Sequence, residues 1–189
     1  RILGEFGYVV DVVNYNDNKF SLKRNYNLVI GLGNTLERIV EKLPKQTIKI
    51  YLATGSEANF HNQREKKRIE EVNKRRQSAL EIVRKNCDDS NILKFFDTII
   101  CLGNEVTTST YRPYFKKGIY RFNNHGYDKT AFLPKSKNYE ESRRNFLFLS
   151  GSGKVLNGLD LLLEVFRKMP KLNLYVGGSF RGEEDFVEC

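Results

Sequence analysis

The sequence predicts an α/β protein built from strand-then-helix units, with parallel sheets. Three observations predict this class: short runs rich in β-branched and aromatic residues recur along the chain, helical stretches with one apolar stripe alternate with them, and the runs are mostly apolar. Continuously apolar strands that alternate with helices are typical of parallel sheets that helices cover on both faces. The 189 residues are enough for one core, or for one core and part of another.

The element boundaries follow from the positions of the apolar runs and of the turn residues. Residues 7–13 (GYVVDVV) form the first predicted strand and residues 27–31 the second. A helix is predicted over residues 35–43, because apolar residues recur there at helical spacing and Pro44 ends the pattern. The other predicted strands are residues 47–53, 97–102, 118–122, 145–150 and 172–176, and the other helices are residues 64–85 and 159–169.

A charged stretch with few apolar residues, 135–144, is the predicted linker between two domains. It follows an N-terminal domain, residues 1–134, and precedes residues 145–189. The latter hold a single βαβ unit, which cannot bury a sheet alone, so we expect it to be the beginning of a larger domain. Residues 4–11 (GEFGYVVD) resemble a helix end that turns into a strand, so we expect the first strand of the N-terminal domain to be missing here.

The composition excludes several classes of protein. The 4 prolines and 14 glycines are too few for a fibrous or disordered chain, and no apolar run approaches the ~20 residues of a membrane-spanning helix. Cys87, Cys101 and Cys189 form no CxxC pair and no Cys/His cluster. This pattern argues against a disulfide framework and a zinc site, so we expect a reducing, cytoplasmic setting and no bound metal.

The net charge of +9 raises the question of an anionic partner, which could be nucleic acid, a membrane surface or a phosphorylated substrate. Most of the clustered basic residues lie in the predicted helix over residues 64–85, where glutamates interleave at salt-bridging spacing. We therefore predict a solvated helix face rather than a nucleic-acid site. Peripheral membrane contact through this basic surface stays open, although the helix has few bulky apolar residues.

Polar or glycine-rich loops follow four of the predicted strands. In open parallel sheets, ligands bind at the carboxyl ends of the strands, near helix N-termini, so these loops are where chemistry is expected. Ordinary turns and helix caps are the alternative for each loop. The candidate residues on the N-terminal side are Gly33, Asn34, Thr54, Gly55, Ser56, Gly103 and Asn104.

The loop over residues 31–35 (GLGNT) resembles half of a GxGxxG dinucleotide fingerprint. Leu36 stands where the third glycine would be, and no acidic residue closes a following strand at the expected distance. A tight turn with a helix cap is the more frequent meaning of such a loop. A dinucleotide- or S-adenosyl-dependent enzyme that uses this loop stays an alternative.

Glu57 and His61 follow Thr54 and Ser56 in the second loop. A hydroxyl, a carboxylate and an imidazole that lie close together can perform acid/base chemistry. Glu57 and His61 are therefore candidate catalytic residues, and a polar loop that caps the long helix is the alternative.

The fourth loop is the candidate phosphate site. Its glycines would let a phosphate approach the backbone, and Lys154 could neutralise the charge. It is not a Walker A loop, because Phe148 stands at the first glycine position and Val155 replaces the Ser/Thr. The candidate residues are Gly151, Ser152, Gly153, Lys154, Asn157 and Gly158.

Several stretches, in their order and spacing, resemble group-1 (family 4-type) GT-B glycosyltransferases. The resemblance implies two Rossmann-like domains with a cleft between them, an acceptor domain over residues 1–134 and a donor domain that begins at residue 145. The stretches are 7–13 (GYVVDVV), 96–103 (FDTIICLG), 119–128 (IYRFNNHGYD), 132–134 (FLP), 146–166 (FLFLSGSGKVLNGLDLLLEVF) and 172–177 (LNLYVG).

This resemblance implies transfer of a sugar from a nucleotide-diphosphate sugar to a glycan, lipid or small-molecule acceptor. The loop with Gly151, Ser152 and Gly158 would meet the donor diphosphate, and the loops of the N-terminal domain would face the acceptor. No permanently bound cofactor and no metal would be needed. A cytoplasmic enzyme of glycan synthesis, in solution or peripheral at a membrane, is expected.

The sequence also departs from the family pattern. Asn157 stands at the position of the family's phosphate-binding Lys, and Ser152 at that of its Arg. Residues 124–128 carry one extra residue in the family's turn, and residues 54–56 replace its usual His. The family's glutamate-bearing donor motif is not among these residues. We therefore expect this chain to be inactive alone, and a non-catalytic binding module on the same fold stays an alternative.

Overall fold

The computed structural model describes residues 2–123 and 138–188. Its described residues form two compact units, the first within residues 1–57 and 88–124 and the second within residues 58–87 and 125–189. Each unit contains a parallel sheet, so the predicted α/β class is confirmed. The predicted boundaries at residues 134 and 145 stay a prediction, because residues 124–137 lie outside the described part.

The helices and strands follow the predicted alternation. The strands are β1 (Leu28–Gly31), β2 (Ile48–Ala53), β3 (Thr98–Leu102), β4 (Gly118–Phe122), β5 (Asn145–Leu149) and β6 (Asn173–Gly177). The helices are α1 (Ile2–Glu5), α2 (Gly33–Val40), α3 (Ala58–Arg76), α4 (Glu105–Tyr111), α5 (Tyr139–Ser142), α6 (Leu159–Phe166) and α7 (Glu184–Glu188), with a 3₁₀ helix over Ser90–Phe95.

The first unit is a four-stranded sheet in the order β1-β2-β3-β4, with every pair parallel. Alternate residues of β3, Ile99 and Cys101, are fully buried, because successive side chains of a strand point to opposite faces. Val40 of α2 and Phe96 pack into the same core. The parallel arrangement brings the carboxyl ends of all four strands to one edge of the sheet.

The strand predicted over residues 7–13 is wrong. The segment forms no strand, and Val9 and Val12 are 81% and 92% exposed. Its β-branched residues favour extended backbone, but a strand also needs a neighbour for its peptide groups. No other strand among the described residues pairs with this segment.

The second unit contains the parallel pair β5–β6 and the long helix α3. Ile69 and Val72 of α3 pack with Val155, Leu159 and Phe186 in one apolar cluster. The predicted apolar stripe on this helix is thus buried in part, against residues some 90 positions away in the sequence.

No helix in the described residues is long and apolar enough to cross a bilayer.

The predicted end of the long helix at residue 85 is also wrong. The chain leaves α3 at Gln77, whose φ of 54° lies in the left-handed region. The Asn73 side chain then accepts from Leu80 N–H and donates to Leu80 C=O, at 2.9 and 3.0 Å. Glu65 accepts from the N–H groups of Val83 and Arg84 at 3.2 and 2.7 Å. The returning segment therefore runs beside the helix instead of extending it.

Candidate functional site

Three of the predicted loops lie at the carboxyl edge of the first sheet. The loop with Gly33 and Asn34 follows β1, that with residues 54–56 follows β2, and that with Gly103 and Asn104 follows β3. Because the strands are parallel and adjacent in this order, the loops share one edge. The structure thus brings the predicted acceptor-side residues together, and their role in binding stays a prediction.

Residues 14–17 of the first unit pack against the loop over residues 31–35. Gly33 has a φ of +82°, and a Cβ there would lie 2.9 Å from the Tyr15 ring. Thr35 N–H donates to the Tyr15 carbonyl at 2.9 Å, and the Thr35 hydroxyl donates to the Asn14 carbonyl at 2.9 Å. It also accepts from Asp17 N–H at 2.7 Å. These contacts support a tight turn rather than a dinucleotide site, but the expected helix cap is wrong, because Leu32 is the N-cap of α2 and no described side chain makes a capping hydrogen bond there.

Two residues of α4 form hydrogen bonds with the loop over residues 54–57. Glu57 N–H donates to the Thr110 hydroxyl at 2.9 Å, and the Tyr111 hydroxyl donates to the Gly55 carbonyl at 3.0 Å. The Glu57 residue is only 1% exposed. Thr54 and Gly55 are exposed, and no atom lies within 4 Å of a Cβ built on Gly55. A ligand can therefore approach the backbone of this loop, whereas Glu57 serves first to anchor it.

His61 belongs to α3 in the second unit, whereas Glu57 belongs to the first. Its Nε2 lies 3.0 Å from the Arg84 carbonyl and 3.4 Å from Glu65 Oε2. The longer contact is an ion-pair distance, and Oε2 of the buried Glu65 has no hydrogen-bond partner. His61 therefore holds the returning segment against its own helix, and its catalytic role stays a prediction.

A half-buried polar cluster, which the sequence analysis missed, lies near the loop over residues 54–57. The Tyr51 hydroxyl donates to the Asp89 carboxylate, and the Tyr51 and Tyr111 rings lie 6.2 Å apart. Burial raises the pKa of Asp89, and nearby Glu37 raises it further. Burial also raises the pKa of Tyr111. No local signal marks Asp89, because its partner lies 38 positions earlier in the chain.

We expect Asp89→Asn to remove a pH dependence from the stability of the first unit. Because folding raises the pKa of Asp89, the protonated carboxyl stabilises the folded state. This stabilisation is complete below the pKa of Asp89 in the unfolded chain, about 3.9, and it is lost as pH rises through the pKa in the folded chain. The loss amounts to about 1.4 kcal/mol per unit of raised pKa. Urea unfolding from pH 4 to 8, followed by near-UV circular dichroism of the tyrosines, measures it. Parallel pH profiles for the two proteins would contradict it.

The predicted phosphate loop of the second unit follows β5 and forms an anion-binding concavity. Gly153 has a φ of +81°, in the left-handed region. The N–H groups of Gly153 and Lys154 donate to the two carboxylate oxygens of Glu183, at 2.9 and 2.6 Å. Consecutive N–H groups around such a residue are typical of sites that hold anions. The Glu183 residue is 3% exposed, so the concavity is occupied by an internal carboxylate.

Lys154 is fully buried, and its ammonium group is turned into its own loop. It donates to the carbonyls of Ser150 and Gly151 at 3.1 and 2.8 Å and lies 4.7 Å from the Phe180 ring centroid. Its ammonium is thus held by carbonyls and an aromatic ring. The Lys154 ammonium is therefore held within its own loop. The predicted neutralising role could act only from this fixed, buried position.

The other predicted residues of this loop lie at its surface or at the helix start. Gly151 and Ser152 are exposed, and no atom lies within 4 Å of a Cβ built on Gly151. Asn157 donates from its amide to the Ser152 carbonyl at 3.2 Å, and Gly158 is the N-cap of α6. The structure therefore brings all six predicted residues into one loop. Sequence reasoning missed Glu183, because nothing local links it to a loop 30 positions earlier.

An ionic cluster joins α3 to α6 and accounts for part of the basic helix. Asp160 is fully buried and contacts Arg68 at 2.7 Å and Arg75 at 2.5 Å. Glu164 lies 3.3 Å from Arg75 and 3.5 Å from Arg76. These three arginines therefore neutralise acids within the unit, and they are not free charges for an outside partner.

Within residues 2–123 and 138–188, no group of three His, Cys, Asp or Glu side chains is placed to hold a metal ion. The expectation that the reaction needs no metal stays a prediction. A comparison of the chain with protein-family models, with curated proteins and with solved structures finds no match.

Proposed function

We propose that this chain carries the acceptor domain and the first donor-phosphate loop of a glycosyltransferase. The enzyme would transfer a sugar from a nucleotide-diphosphate sugar to a glycan, lipid or small-molecule acceptor. Two features support the proposal. Polar loops lie together at the carboxyl edge of the sheet β1–β4, and a glycine-rich loop follows β5, the first strand of the second parallel sheet. The motif resemblance supplies the reaction class.

The observation that carries the proposal is the pair of N–H groups of Gly153 and Lys154. They donate to the two oxygens of one carboxylate at N···O distances of 2.9 and 2.6 Å, and two oxygens of a phosphate can accept from such a pair of N–H groups in the same way. In sugar transfer from such donors the leaving group is a diphosphate, and N–H groups of this kind stabilise its charge. Gly151 and Ser152 leave the approach to the loop open.

Titration of isotope-labelled protein with uridine, guanosine and adenosine diphosphate sugars tests this proposal. We expect shifts of the amide signals of residues 151–158, with a Kd of about 1 mM, because Glu183 competes for the same N–H groups. We expect no turnover, measured as release of nucleoside diphosphate. The parent nucleosides, which lack phosphate, should leave the loop signals unchanged.

Two matched variants locate the binding. Ser152→Asp places a negative charge on the exposed loop and should abolish the shifts, whereas Ser21→Asp makes the same change at an exposed position of the first unit and should not. Unchanged loop signals at about 10 mM of every donor, far above the expected Kd, would contradict the proposal. Binding tighter than about 10 μM would show a complete donor site, contrary to the expected weak one.

A non-catalytic binding module is the second candidate. Occupation of the concavity by Glu183, and Asn157 at the position of the family's Lys, favour it. Such a module would show no response of residues 151–158 to nucleotide sugars. Instead, free oligosaccharides would shift the amide signals of the carboxyl-edge loops around Gly33, Gly55 and Gly103. The same titration therefore separates the two candidates.

A further inference from the structure

The backbone of Arg84, in the segment that returns beside α3, is fixed by two side chains of that helix. Glu65, which is 2% exposed, accepts from Arg84 N–H at 2.7 Å, and His61 Nε2 lies 3.0 Å from the Arg84 carbonyl. Two residues further on, the Asn62 side chain accepts from Asn86 N–H and donates to the Asn86 carbonyl, each at 2.8 Å. The place of Arg84 in the second unit therefore does not depend on its own side chain.

The side chain of Arg84 lies against Gly153 of the predicted phosphate loop. A Cβ built on Gly153 would lie 2.5 Å from Arg84 Cδ and 3.3 Å from Arg84 Cγ, so a side chain at residue 153 would have to displace the arginine stem. Arg84 is exposed, and in the part of the chain that the structure describes its guanidinium makes no ion pair or hydrogen bond. The loop thus has a cation beside it that no described acid neutralises.

The loop over residues 150–158 offers an anion little positive charge of its own. Its one basic residue is Lys154, whose ammonium is fully buried and held by two carbonyls of the loop. The two N–H groups that hold Glu183 are matched by the single charge of one carboxylate. A ligand with more negative charge therefore needs a cation from outside the loop, and Arg84 is placed to supply it.

We infer that Arg84 binds the second phosphate of a diphosphate whose first phosphate accepts from the N–H groups of Gly153 and Lys154. A guanidinium suits this task, because its planar fork can donate two parallel hydrogen bonds to phosphate oxygens. Among the described residues Glu183 makes no ion pair with Arg84, so a diphosphate gains a contact that the carboxylate lacks. The inference rests on the proposed function, in which a diphosphate leaves, and adds selection of diphosphate over monophosphate.

Titration of the isotope-labelled chain with inorganic pyrophosphate and with inorganic phosphate, at constant ionic strength, tests the inference without a nucleoside. The amide signals of Gly153 and Lys154 report occupation of the loop. The side-chain Nε–H signal of Arg84, identified by its loss in Arg84→Gln, should shift with pyrophosphate and not with phosphate. We expect the wild type to bind pyrophosphate at least about 10-fold more tightly than phosphate, because only pyrophosphate can reach both the N–H groups and the guanidinium.

Three variants separate a direct contact from a general effect of charge. Arg84→Gln should lower the affinity for pyrophosphate at least about 5-fold and the affinity for phosphate less than about 2-fold, and it should keep the fold because α3 holds the backbone of this residue. Arg84→Lys keeps the charge without the fork and should give an intermediate affinity. Lys85→Gln removes the same charge from the neighbouring exposed residue and should leave both affinities within about 2-fold of the wild type.

The outcomes distinguish this inference from the proposed function. Unchanged pyrophosphate affinity in Arg84→Gln, or an equal loss in Lys85→Gln, would overturn the inference and leave the proposed function standing where nucleotide sugars still shift the loop signals. Wild-type loop signals that stay unchanged at about 10 mM pyrophosphate would overturn both. Pyrophosphate binding that depends on Arg84, together with no response to any nucleotide sugar, would support the diphosphate contact and contradict the donor role.

Discussion

Replacement of Asp160 with alanine should lower the free energy of unfolding of the second unit by about 3–5 kcal/mol. Asp160 is fully buried and accepts from Arg68 and Arg75, at 2.7 and 2.5 Å. Without it, Arg68 and Arg75 keep only the partly exposed carboxylates of Glu71 and Glu164, at 3.0 and 3.3 Å, to compensate their desolvation. Hydrogen exchange of the β5 and β6 amides at increasing urea concentration measures the loss for this unit alone.

Glu164→Ala is the matched control for Asp160→Ala. Glu164 lies one turn further along α6 and contacts Arg75 and Arg76, but its side chain is 40% exposed. Partly exposed ion pairs contribute little, so we expect a loss below about 1 kcal/mol. Asp160→Asn keeps the shape without the charge and should give an intermediate loss. If Asp160→Ala costs no more than Glu164→Ala, the buried acid does not hold α3 against α6.

Replacement of Glu183 with alanine should destabilise the second unit by about 2–4 kcal/mol and should open an anion site in the loop. The carboxylate accepts two buried N–H groups, from Gly153 and Lys154. Its removal leaves both donors without a partner beside the buried ammonium of Lys154. Inorganic phosphate should then bind in the vacated concavity and should recover part of the lost Tm.

The wild type is the first control: Glu183 competes for the same N–H groups there, so phosphate at the same concentration should raise its Tm by far less than that of Glu183→Ala. Glu183→Gln is the second, since one amide oxygen can still accept one N–H, and it should lose less stability than Glu183→Ala. Glu184→Ala removes a neighbouring exposed acid that accepts from Gly182 N–H at 3.1 Å, so it should cost little stability and should create no phosphate response. Glu183→Ala without any phosphate-dependent rise in Tm would contradict an anion-binding role for the loop.

Much of the fold could be predicted from local patterns. The apolar runs at residues 27–31, 97–102 and 145–150 became β1, β3 and β5 within a residue of their predicted bounds. The loops after them were recognisable as candidate sites, because the carboxyl edge of a parallel sheet follows from the strand order. Such features depend on neighbours in the chain, which the sequence displays.

The errors came where a distant partner decides the outcome. Residues 8–13 have the composition of a strand but remain unpaired, because strand formation needs a neighbour as well as propensity. The long helix ends at Arg76, because the Asn73 side chain accepts a hydrogen bond from Leu80 N–H and Glu65 accepts one from Arg84 N–H in the returning segment. Helical periodicity continues past that point and contains no sign of the turn.

The sequence by itself thus determined the alternation of strands and helices, the α/β class and the positions of the loops, all of which rest on short-range patterns of apolar and turn residues. Only the tertiary structure decided how charges and peptide groups are satisfied. It placed Glu183 on the N–H groups of Gly153 and Lys154, and Asp160 between Arg68 and Arg75. Burial makes an unpaired charge or N–H group costly, and the partner that removes this cost can lie anywhere along the chain.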